Sequence, residues 1–329
     1  MKTSILTVIA TLLLGLGVGC GILFPGGVLS SFVLSPETTC QQLTDWLALG
    51  DLPDADTPAD IGLQFEAFTV RTARGRRLSA WFVPAQYDGQ LDANPVGTVL
   101  ILHGTDGTIA CTLPWAAVAA ANHMHAVTFD YRGYGDSEGK AGLGTLLADS
   151  EAVLGWILSD DAPARQAVHL FGTSLGTGPA LGLASLQEYP QIRTVILDGA
   201  YDPVMMFQAI GEVMPTVLSV PIRLTAHVDF RWMFAMRKRL EDMTVPAMFL
   251  HAENDHITPL AGAQSMFERV GSPDKTFWVF AGMTHIQPLF LAEQEYVSLV
   301  VTFWRDPTAE PSPTAAADDE TIRVPDFAL

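Results

Sequence analysis

Gly172-Thr173-Ser174-Leu175-Gly176 is the stretch whose reading decides the fold. The apolar run Ala167-Val168-His169-Leu170-Phe171 precedes it, and Thr177-Gly178-Pro179-Ala180-Leu181-Gly182-Leu183-Ala184 follows it. The first run reads as a strand and the second as a helix. A serine between two glycines at a strand-to-helix turn is the nucleophile-elbow pattern. Such a turn is tight enough to strain the serine backbone, and side chains at the glycine positions are expected to collide with it. The turn holds the hydroxyl out of the sheet, beside the positive end of the following helix.

Outward from this turn, residues 61–304 alternate short β-rich runs with helix-length stretches. Residues 65–71 and 78–83 flank Gly75-Arg76-Arg77 and read as a hairpin. Residues 98–102, 126–129, 168–171, 194–197, 247–250 and 276–280 are continuous apolar runs, as expected of strands buried on both faces of a parallel sheet. Helix-like segments lie around 114–122, 145–158, 175–186, 259–270 and 289–304. The alternation predicts a doubly wound α/β sheet, mostly parallel and eight-stranded, with helices on both faces. Functional side chains of such a sheet belong at the C-terminal ends of its strands.

Each strand end carries a distinct polar loop. His103-Gly104-Thr105-Asp106-Gly107 can aim the backbone N–H of Thr105 above the serine, where with the N–H of Leu175 it forms an oxyanion hole. Asp130-Tyr131-Arg132-Gly133-Tyr134-Gly135-Asp136-Ser137-Glu138-Gly139 reads as structural, through arginine and carboxylate hydrogen bonds to backbone. Asp255 stands in the loop Glu253-Asn254-Asp255-His256, and His285 in Gly282-Met283-Thr284-His285. The order Ser174, Asp255, His285 is that of a nucleophile, an orienting acid and a base. An imidazole titrates near neutral pH and can take the serine proton. Asp198 and Asp202, at the end of the strand after the serine's helix, are the alternative acids. Of the eight histidines, His103 comes in the wrong order and His256 cannot easily turn back onto Asp255. No pair of histidines or cysteines has metal-ligand spacing, and no cofactor motif is present.

Together His103-Gly104-x-x-Gly107, Asp130-Tyr131-Arg132-Gly133-Tyr134-Gly135-x-Ser137-x-Gly139, Gly172-x-Ser174-x-Gly176 and the Asp255 and His285 loops resemble the Bem46-like α/β hydrolases. That group includes membrane-anchored members and the related acyl-protein thioesterases, or depalmitoylases, whose elbow is similar to Ser174-Leu175-Gly176-Thr177-Gly178-Pro179. The resemblance covers residues 65–304. It implies an α/β-hydrolase fold with a small cap, and cleavage of carboxylic esters or thioesters through an acyl-enzyme. A serine peptidase of the same fold is the alternative. A non-enzymatic binding protein on this scaffold normally lacks a triad member, and none is missing here. Two departures stand out: Ile286 replaces the asparagine that often follows the histidine, and Asp106 adds a charge where a small neutral residue is usual.

Residues 202–244 occupy the cap position, and Met205, Met206, Phe207, Met214, Trp232, Met233, Phe234 and Met236 lie within it. They read as core packing, with lining of an acyl pocket as the alternative.

The 329 residues carry 18 basic and 36 acidic side chains, a net charge of −18 that argues against nucleic acid or an anionic membrane surface as partner. Residues 37–60 read as an acidic linker and 305–329 as an acidic, disordered tail. Residues 1–36 form a membrane anchor or signal segment, with an almost wholly apolar stretch over 5–24 long enough to span a bilayer. Lys2 before it and the acidic residues after it place the main domain outside the cytoplasm. Leu16-Gly17-Val18-Gly19-Cys20 offers the alternative of a lipoprotein, and a cleaved signal that of a secreted protein. With Cys20 in that segment, Cys40 and Cys111 are left either as a disulfide pair or as two unpaired thiols. The partner implied is a small-molecule or lipid-like acyl ester, with the membrane engaged through the N-terminal segment.

Overall fold

The computed structural model describes residues 34–36, 39, 40, 42, 55–160, 162, 167–213 and 231–325. The expected anchor over 5–24 and the lipoprotein cysteine lie outside the described residues. Among the described residues, no helix is long and apolar enough to cross a membrane.

Ten strands form: β1 (Glu66–Arg71), β2 (Arg77–Val83), β3 (Gln86–Tyr87), β4 (Gln90–Leu91), β5 (Gly97–Leu102), β6 (Met124–Phe129), β7 (Val168–Thr173), β8 (Ile192–Asp198), β9 (Ala247–Ala252) and β10 (Lys275–Phe280). Eight of them make one sheet in the order β1-β2-β6-β5-β7-β8-β9-β10. The pairs β1/β2 and β2/β6 are antiparallel and the others parallel, so β2 alone runs against the rest. This is the mostly parallel, eight-stranded α/β-hydrolase sheet that the sequence predicts. β3 and β4 form a separate small hairpin around Asp88 and Gly89, both at positive φ (49° and 73°). The Asp-Gly dipeptide between short β-rich runs is the signal for that turn.

Burial follows position in the sheet. Every residue of β5, β6, β7 and β9 is buried, as the continuous apolar runs require. β10 departs from the expectation: it is the edge strand, mostly half-buried, with Val279 exposed. Its apolar run covers the end of the sheet rather than its middle.

The helices are α1 (Leu113–Ala121), α2 (Leu146–Ile157), α3 (Thr177–Leu186), α4 (Pro203–Val213), α5 (Arg231–Arg239), α6 (Leu260–Arg269), α7 (Pro288–Leu291), α8 (Glu293–Arg305) and α9 (Ala315–Asp318). The helix expected over 289–304 is two, broken at Ala292. One core layer joins α2, α3, α5 and α6 to one face of the sheet through Leu154, Leu181, Met236 and Met266. The other joins α1 and α8 to the opposite face through Trp115, Val118, Tyr296 and Val300. Burial of both faces stabilises the fold by about 25 cal/mol per Å² of apolar surface removed from water.

The cap position and the two acidic flanks are described in part, and the tail departs from its expectation. Much of the expected cap belongs to the main core: Met233 and Met236 of α5 are buried against α3, and the Trp232 indole N–H donates to the Leu143 carbonyl (2.8 Å). Residues 214–230 lie outside the described set. The acidic tail is packed rather than disordered as far as it is described. Ile322 is buried in the α1/α8 layer, and the Asn122 side chain clasps the Arg323 backbone at both N–H (2.9 Å) and C=O (2.7 Å). Arg305 pairs with Asp319 at 3.1 Å. The acidity of this segment masked the few apolar side chains that dock it. At the end of the linker, Pro58–Ile61 forms a short turn closed by Thr57 and Asp60, and Cys40 is bonded to Cys111.

Candidate active site

Ser174 follows β7 with φ at +51°, a left-handed conformation that costs a non-glycine residue energy and occurs where a turn demands it. The flanking glycines are required by close backbone approaches. A Cβ on Gly176 would lie 2.0 Å from the Leu102 carbonyl oxygen of β5, and one on Gly172 would lie 2.5 Å from the Gly176 carbonyl oxygen. The crowding is therefore against the neighbouring strand and the turn's own backbone, not against the serine as the motif alone suggests.

The structure brings Ser174, His285 and Asp255 into one row. Asp255 stands in the loop after β9 and His285 in the loop after β10. The Ser174 Oγ lies 2.9 Å from His285 Nε2, and His285 Nδ1 lies 2.6 Å from Asp255 Oδ2. With Asp255 ionised, Nδ1 carries the proton and Nε2 is left to accept from the serine. Such a row can move the hydroxyl proton to the imidazole as the oxygen attacks a carbonyl.

Asp255 is buried, which pushes its carboxyl up, but the hydrogen bond and charge of His285 together with the Thr258 bonds outweigh this and hold it below the usual value. Its donors fix both oxygens: Ile257 N–H (2.9 Å) and Thr258 N–H (2.8 Å) on Oδ1, and the Thr258 hydroxyl (2.7 Å) with His285 on Oδ2. Charge-assisted bonds of this kind are the strong ones. Thr258 is a positioning residue that no motif announced. His251 supports the same loop by donating Nε2–H to the Thr258 carbonyl (2.8 Å). Gly199, at φ +70°, leaves room for the imidazole: a Cβ there would lie 2.9 Å from His285 Cε1.

The alternative acids are otherwise engaged. Asp202 is paired with Arg237 at 2.9 Å and accepts from Ser265 (2.7 Å). Asp198 accepts from the Tyr296 hydroxyl (2.6 Å), which in turn accepts from the Trp115 indole (3.2 Å). Burial pushes the Asp198 carboxyl up to about 6, opposed by the Tyr296 bond and the nearby His285.

Thr105 and Leu175 lie beside Ser174, the first at the tip of the loop after β5 and the second in the turn Ser174–Gly176. The loop packs closely against Ser174: a Cβ on Gly104 would lie 3.3 Å from Ser174 Cβ. His103 donates Nδ1–H to the Gly104 carbonyl (2.8 Å), and burial lowers its pKa to about 4, so it stays neutral. Tyr134, from the loop read as structural, donates its hydroxyl to the Thr105 carbonyl (2.9 Å). The rest of that loop is structural as expected. Asp130 accepts from Ile109 N–H (2.7 Å), and the Arg132 side chain is held by the buried Asp149 carboxylate. His103 and Tyr134 were legible as motif members but not as supports of the loop, because both act on carbonyls that sequence does not place.

A narrow cleft lined by Thr105, Asp106, Trp115, Ile257, His285 and Ile286 opens onto Ser174. Ile286, at φ +50°, puts an apolar wall beside the histidine. The methionines of the expected cap do not line this cleft among the described residues. No group of side chains able to hold a metal ion is present among the described residues.

A family model described as serine aminopeptidase, S33, matches residues 93–222 and 215–288. An uncharacterized protein of Salmonella typhimurium, YfhR, is 25% identical over 265 residues, covering 77% of this chain and 86% of its own. The lysophosphatidylserine lipase ABHD12 of Rattus norvegicus is 28% identical over 222 residues, covering 60% of this chain and 52% of its own. Among solved structures, the Pyrococcus furiosus esterase Pf2001 superposes with a TM-score of 0.60 at 21% identity, over 78% of this chain and 96% of its own, a likeness of fold.

Proposed function

From a chain that belongs to the serine aminopeptidase S33 family of α/β hydrolases, we propose a serine hydrolase that cleaves carboxylic ester or thioester bonds through an acyl-enzyme. One observation carries the reading: the hydrogen-bonded row Ser174–His285–Asp255, at 2.9 and 2.6 Å, beside the Gly104–Thr105 loop. Ser174 Oγ attacks the acyl carbonyl while its proton passes to His285 Nε2. The oxyanion forms against the N–H groups of Thr105 and Leu175, each such donor lowering the barrier by about 3 kcal/mol. Collapse expels the alcohol or thiol, which takes the proton from His285. Water then enters, gives its proton to His285 and releases the acid, restoring Ser174.

The apolar walls of the cleft, Trp115, Ile257 and Ile286, suit an uncharged acyl chain. The ABHD12 relative, by name a lipase of lysophosphatidylserine, supports a lipid-like ester. A fluorophosphonate probe tests the enzyme: wild type labels and Ser174→Ala does not, and an unlabelled wild type removes the reading. The family's own description favours a peptidase as the second reading. Turnover of a chromogenic aminoacyl amide in preference to a p-nitrophenyl ester would establish it.

The domain is held outside the cytoplasm by residues 5–24. The Cys40–Cys111 bond supports this, since disulfides persist in oxidising compartments. Protease added to intact cells should digest the domain; full protection would place it inside.

A further inference from the structure

We propose that residues 34–36, tied down through Cys40, are a strap that sets the oxyanion loop, and that the Cys40–Cys111 disulfide makes acyl transfer depend on an oxidised chain. The inference rests on the acyl-transfer reading above.

The Thr105 N–H lies in the peptide plane it shares with the Gly104 carbonyl, and the next plane, which carries the Thr105 carbonyl, fixes how residue 105 is seated in the chain. At Thr105 both planes are pinned. The Gly104 carbonyl is held by His103 Nδ1 (2.8 Å), and the Thr105 carbonyl by the Tyr134 hydroxyl (2.9 Å) and by the Ser35 N–H (3.2 Å). His103 and Tyr134 come from the domain itself. Ser35 comes from far upstream, outside the repeating β and α elements, and forms a parallel bridge with Asp106. Pro36 after it biases Ser35 towards the extended conformation that this bridge needs. Leu34 is buried in the larger core layer, which seats the start of the strap.

The disulfide closes the other end. Cys111 belongs to the turn Ile109–Thr112 and lines the cleft, and Ile109 N–H is fixed on Asp130 Oδ1 at 2.7 Å. Gly107, at φ +82°, packs directly on the bond: a Cβ there would lie 2.1 Å from Cys111 Sγ and 3.9 Å from Cys40 Sγ. The loop 104–107 is therefore gripped between the disulfide on one side and Ser174 on the other. Opening the disulfide frees the strap, unloads Gly107 and loosens the Ser35 bond that seats the Thr105 carbonyl. Ser35 and the disulfide are positioning groups: they touch the oxyanion loop and not the substrate.

The test compares Ser35→Pro, which deletes the N–H and keeps the disulfide, with Ser35→Ala, which keeps both. Cys40→Ser/Cys111→Ser, and wild type reduced by dithiothreitol (two thiols form as the reagent closes to its cyclic disulfide), remove the bond itself. Each protein is assayed below its melting transition on a p-nitrophenyl ester and on the matching thionoester, whose sulfur accepts hydrogen bonds poorly. We expect kcat for the ester to fall about tenfold in Ser35→Pro and in the disulfide-free proteins, less than the 10²–10³ of losing a donor outright. KM should stay within twofold, the ester-to-thionoester ratio should fall with kcat, and Ser35→Ala should match wild type. Reoxidation of reduced wild type should restore both. Wild-type kcat in Ser35→Pro and in the disulfide-free proteins overturns the strap, as does a loss that is equal for the two substrates. A wild type that turns over neither substrate refutes the hydrolase reading, and the strap's role falls with it.

Discussion

Replacing Asp255 by asparagine tests which carboxylate orients the histidine. In the wild-type site Oδ1 accepts from the N–H groups of Ile257 (2.9 Å) and Thr258 (2.8 Å), and Oδ2 from the Thr258 hydroxyl (2.7 Å) and His285 Nδ1 (2.6 Å). An asparagine keeps the first pair, because its amide oxygen takes the place of Oδ1. Its NH₂ then stands where Oδ2 was, and it can only donate. The Thr258 hydroxyl can turn and accept, but His285 Nδ1 must become an acceptor. The proton moves to Nε2, and that nitrogen no longer takes the proton of Ser174. A wrong tautomer of this kind lowers kcat by about 10⁴, which is roughly 5.5 kcal/mol of barrier. The cleft walls are untouched, so KM should change by no more than about threefold. Loss of charge-assisted bonds should lower stability by about 1–3 kcal/mol. Ester turnover under saturating substrate reads the first figure, circular dichroism on melting the second, and ¹⁵N chemical shifts of His285 the tautomer. A folded Asp255→Asn protein whose kcat stays within tenfold of wild type refutes the assignment and transfers the acid's role to Asp198.

Asp198→Asn separates stability from turnover. The carboxyl is pushed up to about 6 by burial, so it supports the fold while protonated and that support is lost as pH rises through about 6. Relative to wild type the variant should gain about 1.4 kcal/mol of stability between pH 5 and pH 8, with kcat within tenfold; an equal difference at both pH values contradicts the burial argument. Gly176→Ala drives a methyl to 2.0 Å from the Leu102 carbonyl and should cost about 3 kcal/mol or prevent folding. Gly155→Ala, in α2 with nothing within 4 Å, should stabilise by about 0.5–1 kcal/mol in denaturant melts, and a reversed order refutes the crowding reading. Asp106, at the cleft, should repel acidic substrates. Asp106→Ala should raise kcat/KM two- to fivefold for a succinyl ester over an acetyl ester, more at low salt; no change in that ratio counts against it.

Sequence by itself determined the sheet, the serine and the histidine of the row, and narrowed the acid to Asp255, Asp198 and Asp202. Short continuous apolar runs alternating with helix-length stretches read as strands of a parallel sheet, and each motif is tied to a strand end whose place follows from chain order. Ser174 needed only its local turn, and His285 only its order after it. What tertiary structure decided depends on groups that carry no periodic signature. The Thr258 hydroxyl on the acid, and His103 and Tyr134 on the carbonyls around Thr105, act through single hydrogen bonds between distant segments. The choice of Asp255 over Asp198 and Asp202 is a matter of which carboxylate faces the imidazole and which is taken by Tyr296 or Arg237. Met233 and Met236 pack in the core as their composition suggests, but the docked tail was not legible, because acidity describes composition, whereas docking depends on a few side chains such as Ile322 finding a layer to enter. Cys40 and Cys111 lie 71 residues apart, and nothing local to either chooses between a bond and two thiols. Only the folded loop after β5, which seats Cys111 beside the incoming strap, makes that choice.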